Sequence, residues 1–301
     1  MMSFKDKNIL VTGANGMIGR ALVKLLEKES PKNITTADLP EYDLRSRTDC
    51  SFLCHGQDYV FHLAGIKGSP QRCMESPASF SVPMIQFNAN MIEAAYEENV
   101  EWFLYTSSVG VYHPAEVFIE DDVWSTFPSE NDWYAGWAKR IGEMNVEAYM
   151  EEYRWNKCSI VRPANVYGPN DNFGKWSMVV PSLIKKAMEN EVLSVWGDGS
   201  PIRDLIYSDD VARGMIHMVK NKVTEPVNLG SGTGVTIKQI ADIVANYFNI
   251  DIEWDITKPM GDMKRLMSTE RAESYGFSPK VSLENGIIKT IQWYKEYNSV
   301  L

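Results

Sequence analysis

The feature that most constrains this chain is a glycine-rich segment, TGANGMIG at residues 12–19, that directly follows the short apolar run of residues 8–11. A helical pattern begins where it ends, so the segment must turn a strand into a helix. Gly13 permits a tight turn, Gly16 lets backbone N–H groups approach an anion, and Gly19 lets the helix pack close to the strand. Because a helix N-terminus also carries partial positive charge, the segment predicts a site for the pyrophosphate of a dinucleotide.

An acidic residue ends the next predicted strand. Asn33–Ala37 has the composition of a strand, and Asp38 follows it about 20 residues beyond the glycine-rich segment. At that place a carboxylate accepts hydrogen bonds from the adenosine ribose and repels a 2′-phosphate, which favours NAD over NADP. The alternative is that Asp38 only caps a turn before Pro40.

The composition of the 301 residues is that of a globular chain, with 44% hydrophobic residues and a net charge of −10. This acidity argues against a nucleic-acid partner, since phosphate binding needs clustered Lys and Arg. No apolar run approaches the ~18 residues of a membrane span, and no secretion signal is visible, so we expect a cytoplasmic protein without membrane contact. The four cysteines have no metal-site or disulfide spacing, so we expect no metal. They are Cys50, Cys54, Cys73 and Cys158.

Strands and helices alternate through the first two-thirds of the chain. Beyond the segments named above, we predict strands at 59–63, 102–105 and 158–161, and helices at 18–29, 81–98 and 134–153. The order predicts an α/β fold, a doubly wound Rossmann parallel sheet with a smaller C-terminal substrate lobe. We place the NAD-binding domain at 1–167, with returning segments near 204–230, and the substrate lobe at 168–301.

Four local sequences in this order resemble the extended short-chain dehydrogenase/reductases, specifically the NAD-dependent nucleotide-sugar epimerase/dehydratase family. They are TGANGMIG at 12–19, HLAG at 62–65, SSVGVY at 107–112 and RPANVYGP at 162–169. The run GPNDNF at 168–173 and the segment 258–265 are similar to the GDP-fucose synthase branch. That branch reduces and epimerises GDP-4-keto-6-deoxymannose.

The resemblance implies a catalytic Ser, Tyr and Lys. Ser108 matches the hydroxyl that bonds the reacting oxygen, with capping of the strand end as the alternative. Lys139 matches the lysine that holds the ribose and lowers the pKa of the tyrosine. The family tyrosine stands four residues before this lysine, where the chain has Ala135, and Tyr134 is five residues before it. On a regular helix that spacing separates two side chains by roughly 140°.

Tyr134 therefore fits the catalytic role only if the helix is irregular there, and Gly136 is the residue that permits a bulge. Otherwise Ala135 has replaced the tyrosine and Tyr134 is a packing residue. In that case His113, next to the Ser108 loop, is the first alternative proton donor, although it equally fits a solvated loop residue.

The resemblance also implies the binding residues. For NAD these are Gly13, Asn15, Gly16, Met17, Ile18, Gly19, Asp38, Leu39, Asp43, Leu44, Leu63, Ala64, Gly65, Thr106, Tyr134, Lys139, Pro163, Asn165 and Val166. For the nucleotide-diphosphate sugar they are Ser108, Asn165, Val179, Arg203 and Arg265. The two arginines suit phosphate oxygens, with surface salt bridges as the alternative.

Two further positions depart from the pattern. Met178 stands where the GDP-fucose synthase branch has the histidine for ring epimerisation, and Met84 stands where the family often has an asparagine beside the nicotinamide. Methionine transfers no protons, so the 3,5-epimerisation is not expected of this chain. His62, at a buried strand end, fits a structural role.

We interpret the chain as an NAD-dependent nucleotide-sugar epimerase that acts through a transient 4-keto sugar and retains its NAD. The alternatives are a 4-keto-6-deoxy-sugar reductase that consumes NADH, and an NAD-binding regulatory protein without activity. The family pairing of helices also predicts a homodimer through the helices near 85–98 and 135–153. Four large residues on these helices either form the dimer interface or face the sheet: Met91, Tyr96, Met144 and Tyr149.

Overall fold

The computed structural model describes residues 2–66, 68, 70–258 and 260–300. Its strands are β1 Asn8–Thr12, β2 Asn33–Ala37, β3 Tyr59–His62, β4 Trp102–Thr106, β5 Cys158–Pro163, β6 Asn165–Tyr167, β7 Val192–Trp196, β8 Ile202–Tyr207, β9 Val227–Leu229, β10 Gly234–Thr236, β11 Asp251–Asp255 and β12 Lys264–Arg265. Its helices are α1 Met17–Leu26, α2 Arg47–Cys54, α3 Pro70–Glu75, α4 Pro77–Glu97, α5 Trp133–Glu152, α6 Val179–Glu189, α7 Ser208–Lys220, α8 Ile237–Phe248, α9 Glu270–Ser274 and α10 Leu283–Val300.

The central sheet has six parallel strands in the order β2-β1-β3-β4-β5-β9. Strands β1 to β5 lie where the sequence predicts them, within one or two residues. The register pairs Thr12 of β1 with His62 of β3, and His62 with Tyr105 of β4. The carboxyl ends of these strands therefore meet at one edge, as a parallel sheet requires. The predicted Rossmann class is confirmed.

Alternate residues of each strand enter two different cores. Ile9, Val11 and Phe61 pack with α1 and α7 on one face. Leu10 and Val60 pack with α2, α4 and α5 on the other face. A sheet covered on both faces explains why its strands read as continuous apolar runs rather than as an alternating pattern.

Helix limits differ from the predictions at their ends. Helix α4 begins at Pro77, four residues before the predicted start, because proline suits the first helical position. Helix α1 ends at Leu26, and a 3₁₀ turn continues to Glu29. Helix α5 begins at Trp133, one residue before the prediction.

The C-terminal part builds a second, smaller assembly. Strand β8 pairs with β6, β10 and β12, β7 pairs with β11, and α6, α8 and α10 share a third apolar core. Strand β9 returns to the central sheet. The exact domain limits stay a prediction. Across the described ranges, no helix is both long and apolar enough to span a membrane, and no three His, Cys, Asp or Glu side chains are placed to hold a metal.

Candidate active site

The glycine-rich turn has a geometry that only glycine tolerates. Gly13 has a φ of +70°, and its N–H donates to the Ala37 carbonyl at 3.0 Å. A Cβ on Gly13 would lie 2.8 Å from the Ala64 nitrogen, and one on Gly19 would collide with the Gly13 carbonyl. The turn, the end of β3 and the start of α1 are therefore in close contact, as the sequence predicts.

The N-terminus of α1 suits an anion. Gly16 precedes the helix in an extended conformation, and no side chain in the described part of the chain caps the first turn. Its N–H groups and the helix dipole thus fit the pyrophosphate of a dinucleotide. Beside it, Asp38 Oδ2 accepts a hydrogen bond from the Asn15 N–H at 3.1 Å. Burial raises the pKa of Asp38, and hydrogen bonds from this turn oppose the shift.

The predicted contacts beyond Asp38 lie in the turn that leads to α2. Leu39 is exposed, whereas the Leu44 side chain is buried in the core. Asp43 forms an ion pair with Arg45 at 2.5 Å, and hydrogen bonds from Arg45 lower the pKa of Asp43 to about 2. Their contact with a cofactor stays a prediction.

Lys139 extends from α5 toward the carboxyl end of β4. Its Nζ donates to the Thr106 carbonyl at 2.8 Å and lies 5.4 Å from the centre of the Tyr105 ring. Burial lowers the pKa of Lys139 to about 8, and the Glu143 carboxylate opposes this shift. A Cβ on Gly65 would lie 3.7 Å from the same nitrogen, so Lys139 reaches the end of β3 as well.

Three hydroxyl residues follow β4 or end it. The Ser108 Oγ accepts a hydrogen bond from the Gly110 N–H at 3.1 Å and so begins a short 3₁₀ turn. Thr106 Oγ1 and Ser107 Oγ are buried and have no hydrogen-bond partner among the described residues. Buried hydroxyls normally have a hydrogen-bond partner, so these two are candidates for further polar contacts at the end of β4. Sequence analysis included Thr106 but missed Ser107.

Tyr134 does not adopt the geometry that the bulge hypothesis requires. Helix α5 is α-helical from Trp133 onward, and the Tyr134 side chain is 43% exposed. Its hydroxyl makes no hydrogen bond within the described part of the chain. Ala135, one turn before Lys139, packs against the core shared with α4. Gly136 has a different role from the expected one, because a Cβ there would collide with Gly110 and Pro128.

His113 is exposed in the loop after Ser108. Its Nδ1 donates to the Phe127 carbonyl at 3.1 Å. The other imidazole nitrogen has no hydrogen-bond partner among the described residues, so it is free to bond a ligand.

Arg265 is held by two carboxylates that the sequence did not reveal as its partners. Its Nη2 lies 2.6 Å from Asp132 Oδ2, and its Nε donates to Asp262 Oδ2 at 2.9 Å. A Cβ on Gly110 would be 3.5 Å from both the Asp132 carboxyl carbon and the Ser108 Oγ. The ion pair of Asp132 and Arg265 therefore borders the Ser108 loop. Phosphate binding by Arg265 would compete with both carboxylates, and it stays a prediction.

Arg203 is available to an anion in a way that Arg265 is not. Its guanidinium donates to the carbonyls of Ile202 at 2.8 Å and Met260 at 3.4 Å, and it forms no salt bridge with a described carboxylate. Burial and the nearby Arg265 lower the pKa of Arg203 to about 10. The Asp262 and Asp132 carboxylates are near enough to oppose this shift, but neither forms a salt bridge with Arg203, so this partly buried cation suits a diphosphate.

The remaining predicted contacts lie where β5 passes into the smaller assembly. Pro163 ends β5, and Asn165 and Val166 belong to β6. Asn165 Nδ2 donates to the Asp204 carbonyl at 3.1 Å. Val179 is the first residue of α6, directly after Met178. The contacts of these four residues with ligands stay predictions.

Comparisons with known proteins agree with this geometry. The family model "NAD dependent epimerase/dehydratase family" matches residues 9–230. The chain is 35% identical to a GDP-L-fucose synthase of Sinorhizobium fredii, over 97% of this chain and 96% of that one. It is 33% identical to GDP-L-fucose synthase 1 of Arabidopsis thaliana, over 97% and 94%. A GDP-L-fucose synthetase from Naegleria fowleri bound to NADP superposes with a TM-score of 0.87 at 25% identity, over 99% and 97%.

Proposed function

The chain belongs to the NAD dependent epimerase/dehydratase family, and we propose that it reduces the C4 ketone of a GDP-4-keto-6-deoxy sugar. The observation that carries the proposal is the position of Lys139, hydrogen-bonded at the end of β4 next to the Ser108 loop. Relatives named GDP-L-fucose synthases, which match nearly the whole chain, favour this reductase alternative over the epimerase interpretation.

The chemistry needs one hydride and one proton for each ketone. The glycine turn and Lys139 would hold a reduced nicotinamide dinucleotide, which when bound would supply the hydride to C4. The Ser108 hydroxyl donates a hydrogen bond to the carbonyl oxygen, on which negative charge develops. The positive charge of Lys139 stabilises the same oxygen and lowers the pKa of a proton donor beside it. The oxygen takes the donor's proton and becomes the C4 hydroxyl.

Met178 limits the reaction to reduction. Inverting C3 or C5 would require a group that removes a proton from carbon and another that returns one. Met178, at the start of α6, cannot do either, and the GDP-fucose synthase branch has a histidine at that position. We therefore propose that this chain leaves the configuration at C3 and C5 unchanged.

The test is the reaction of GDP-4-keto-6-deoxymannose with NADH in D₂O. We expect one NADH oxidised for each sugar reduced, and no deuterium on C3 or C5 in the product. Deuterium at either carbon together with an inverted configuration there would show that the chain epimerises despite Met178. Conversion of a nucleotide sugar without net oxidation of NADH would support the epimerase interpretation.

Asp38 should make NAD(H) the preferred cofactor. Its carboxylate stands at the glycine turn, where it can accept ribose hydrogen bonds and repel a 2′-phosphate. Calorimetric titration should show tighter binding of NADH than of NADPH. Asp38→Ala should weaken NADH binding by about 1–2 kcal/mol and narrow the gap. A preference of the wild type for NADPH, the cofactor form suggested by the NADP-bound relative, would contradict this assignment.

We also propose a homodimer through α4 and α5. Of the four residues predicted for this surface, Met144 is 50% exposed, whereas Met91 is fully buried and cannot contribute. Tyr96 and Tyr149 are half-buried and pack together with a centroid distance of 5.1 Å. Light scattering at micromolar concentration should give the mass of a dimer. Met144→Glu should shift it toward the monomer, whereas Ile256→Glu, on an exposed loop, should not.

A further inference from the structure

His62 ends β3 and is fully buried, and it joins the glycine turn through hydrogen bonds. Its Nδ1 lies 2.8 Å from the Thr12 Oγ1, and the same hydroxyl accepts a hydrogen bond from the Ala64 N–H at 3.2 Å. Thr12 directly precedes Gly13, and Ala64 is the residue against which Gly13 packs. The hydrogen bonds of the Thr12 hydroxyl to His62 and Ala64 therefore fix both sides of the turn that would receive the pyrophosphate.

The other imidazole nitrogen leads to the helix that carries Lys139. His62 Nε2 lies 3.0 Å from Asn88 Oδ1, and Asn88 Nδ2 donates to the Tyr105 hydroxyl at 3.0 Å. The Tyr105 hydroxyl in turn donates to the backbone carbonyl of Lys139 at 3.3 Å. A buried series of hydrogen bonds thus connects β1, β3, α4, β4 and α5.

The donors and acceptors of this series allow one arrangement. Because Asn88 uses its amide nitrogen toward Tyr105, it presents its oxygen to His62, so Nε2 must carry the proton. Nδ1 is then the acceptor, and the Thr12 hydroxyl donates to it. Burial and the positive charge of Lys139 lower the pKa of His62 to about 3, which keeps this neutral form.

We propose that His62 is a positioning residue that sets the glycine turn and Lys139 at a fixed separation for one dinucleotide. The two ends of the series lie at the places proposed for the pyrophosphate and for the nicotinamide ribose, so the inference rests on the proposed dinucleotide site. His62 reaches this ligand only through Thr12 and Asn88. Loss of its hydrogen bonds releases both ends, even though the fold keeps its shape.

Packing and hydrogen bonding at His62 can be separated by substitution. The His62 ring stacks with the rings of Phe103 and Tyr105, at distances between ring centres of 6.1 and 6.2 Å. His62→Phe keeps an aromatic ring in this stack and removes both hydrogen bonds. His62→Gln keeps one donor and one acceptor on a side chain of similar length.

The matched control is Trp102→Phe. It also removes one buried side-chain hydrogen bond from the central sheet, the one from Trp102 Nε1 to Ser159 Oγ at 2.9 Å. Trp102 begins β4, so it lies at the opposite end of the strand from Thr106. Loss of this hydrogen bond should lower the melting temperature of the protein without changing its affinity for NADH.

The experiment is titration of the full chain with NADH, followed by fluorescence, with thermal melting of each variant. We expect His62→Phe to weaken NADH binding about tenfold, His62→Gln to recover part of that loss, and Trp102→Phe to bind as the wild type does. Should His62→Phe fail to fold, Thr12→Val, which removes the donor to Nδ1 and keeps the side-chain shape, should weaken binding similarly, and Thr12→Ser should not.

Equal affinity of the wild type and all folded His62 and Thr12 variants would overturn the positioning role and leave the dinucleotide site intact. A loss in Trp102→Phe as large as that in His62→Phe would also overturn it, since general destabilisation would then explain both. If the wild type itself bound no dinucleotide, the proposed function and this inference would both be wrong.

Discussion

Replacing Lys139 by methionine should lower kcat/KM by about 10²- to 10³-fold. Methionine retains much of the buried aliphatic packing but removes the ammonium charge beside the Ser108 loop and the hydrogen bond to the Thr106 carbonyl. The substitution should both lower kcat and raise the KM for NADH. The ammonium charge stabilises the negative charge that develops on the carbonyl oxygen, and it also holds the ribose. Steady-state kinetics with the GDP-keto sugar and NADH measures both effects.

The same residue predicts a pH dependence. Burial lowers the pKa of Lys139 to about 8, and only the protonated form carries charge. The kcat/KM of the wild type should therefore fall as the pH rises through about 8, and the methionine variant should lack this decline. The control is Lys185→Met, at a lysine whose side chain is 40% exposed and lies 4.0 Å from Glu189, and it should keep the wild-type profile. A profile of Lys139→Met that matches the wild type would remove Lys139 from the mechanism.

Sequence patterns predicted the sheet well because its strands are buried on both faces. Runs such as Tyr59–His62 and Trp102–Thr106 are buried throughout, mostly apolar, and end in a polar residue, so both the strand and its functional end are visible locally. The glycine turn was equally predictable, because Gly13 meets a steric requirement that the sequence alone reveals.

The contacts around Arg265 and His62 depend on residues that are far apart in the chain. Asp132 stands more than 130 residues before Arg265, and nothing in either local sequence indicates their pairing. Similarly, a buried histidine after a strand indicates burial, but its bonds to Thr12 and Asn88 require the sheet register and the position of α4. Local patterns predict elements, whereas tertiary packing determines partners.

The conformation at the start of α5 was the least predictable part of the site. Gly136 suggested a bulge that would turn Tyr134 toward the cofactor, but it instead allows α5 to approach Gly110 and Pro128 closely. Any movement that brings Tyr134 inward must therefore take place before Gly136. The two helical residues before Ala135 are Trp133, which packs against Phe127 and Trp137, and Tyr134, which is 43% exposed.

We propose that Tyr134 becomes the proton donor once substrate is bound, so Tyr134→Phe should lower turnover by about 10²- to 10⁴-fold while leaving NADH affinity nearly unchanged. Substrate binding would have to rearrange the first turn of α5, and the structure suggests how. Asp132, directly before that turn, is held by Arg265, and a diphosphate that displaced the carboxylate from Arg265 would release it. Single-turnover reduction at saturating NADH measures the chemical step separately from binding.

The control for this substitution is Trp133→Phe, which changes an equally exposed aromatic neighbour and should retain activity. Full activity of Tyr134→Phe would place the proton donor elsewhere and would confirm Ala135 as the occupant of the tyrosine position. His113→Gln is then the next variant, because His113 keeps one nitrogen without a partner near the Ser108 loop. Activity unaffected by both substitutions, together with intact NADH binding, would exclude both side chains as the proton donor.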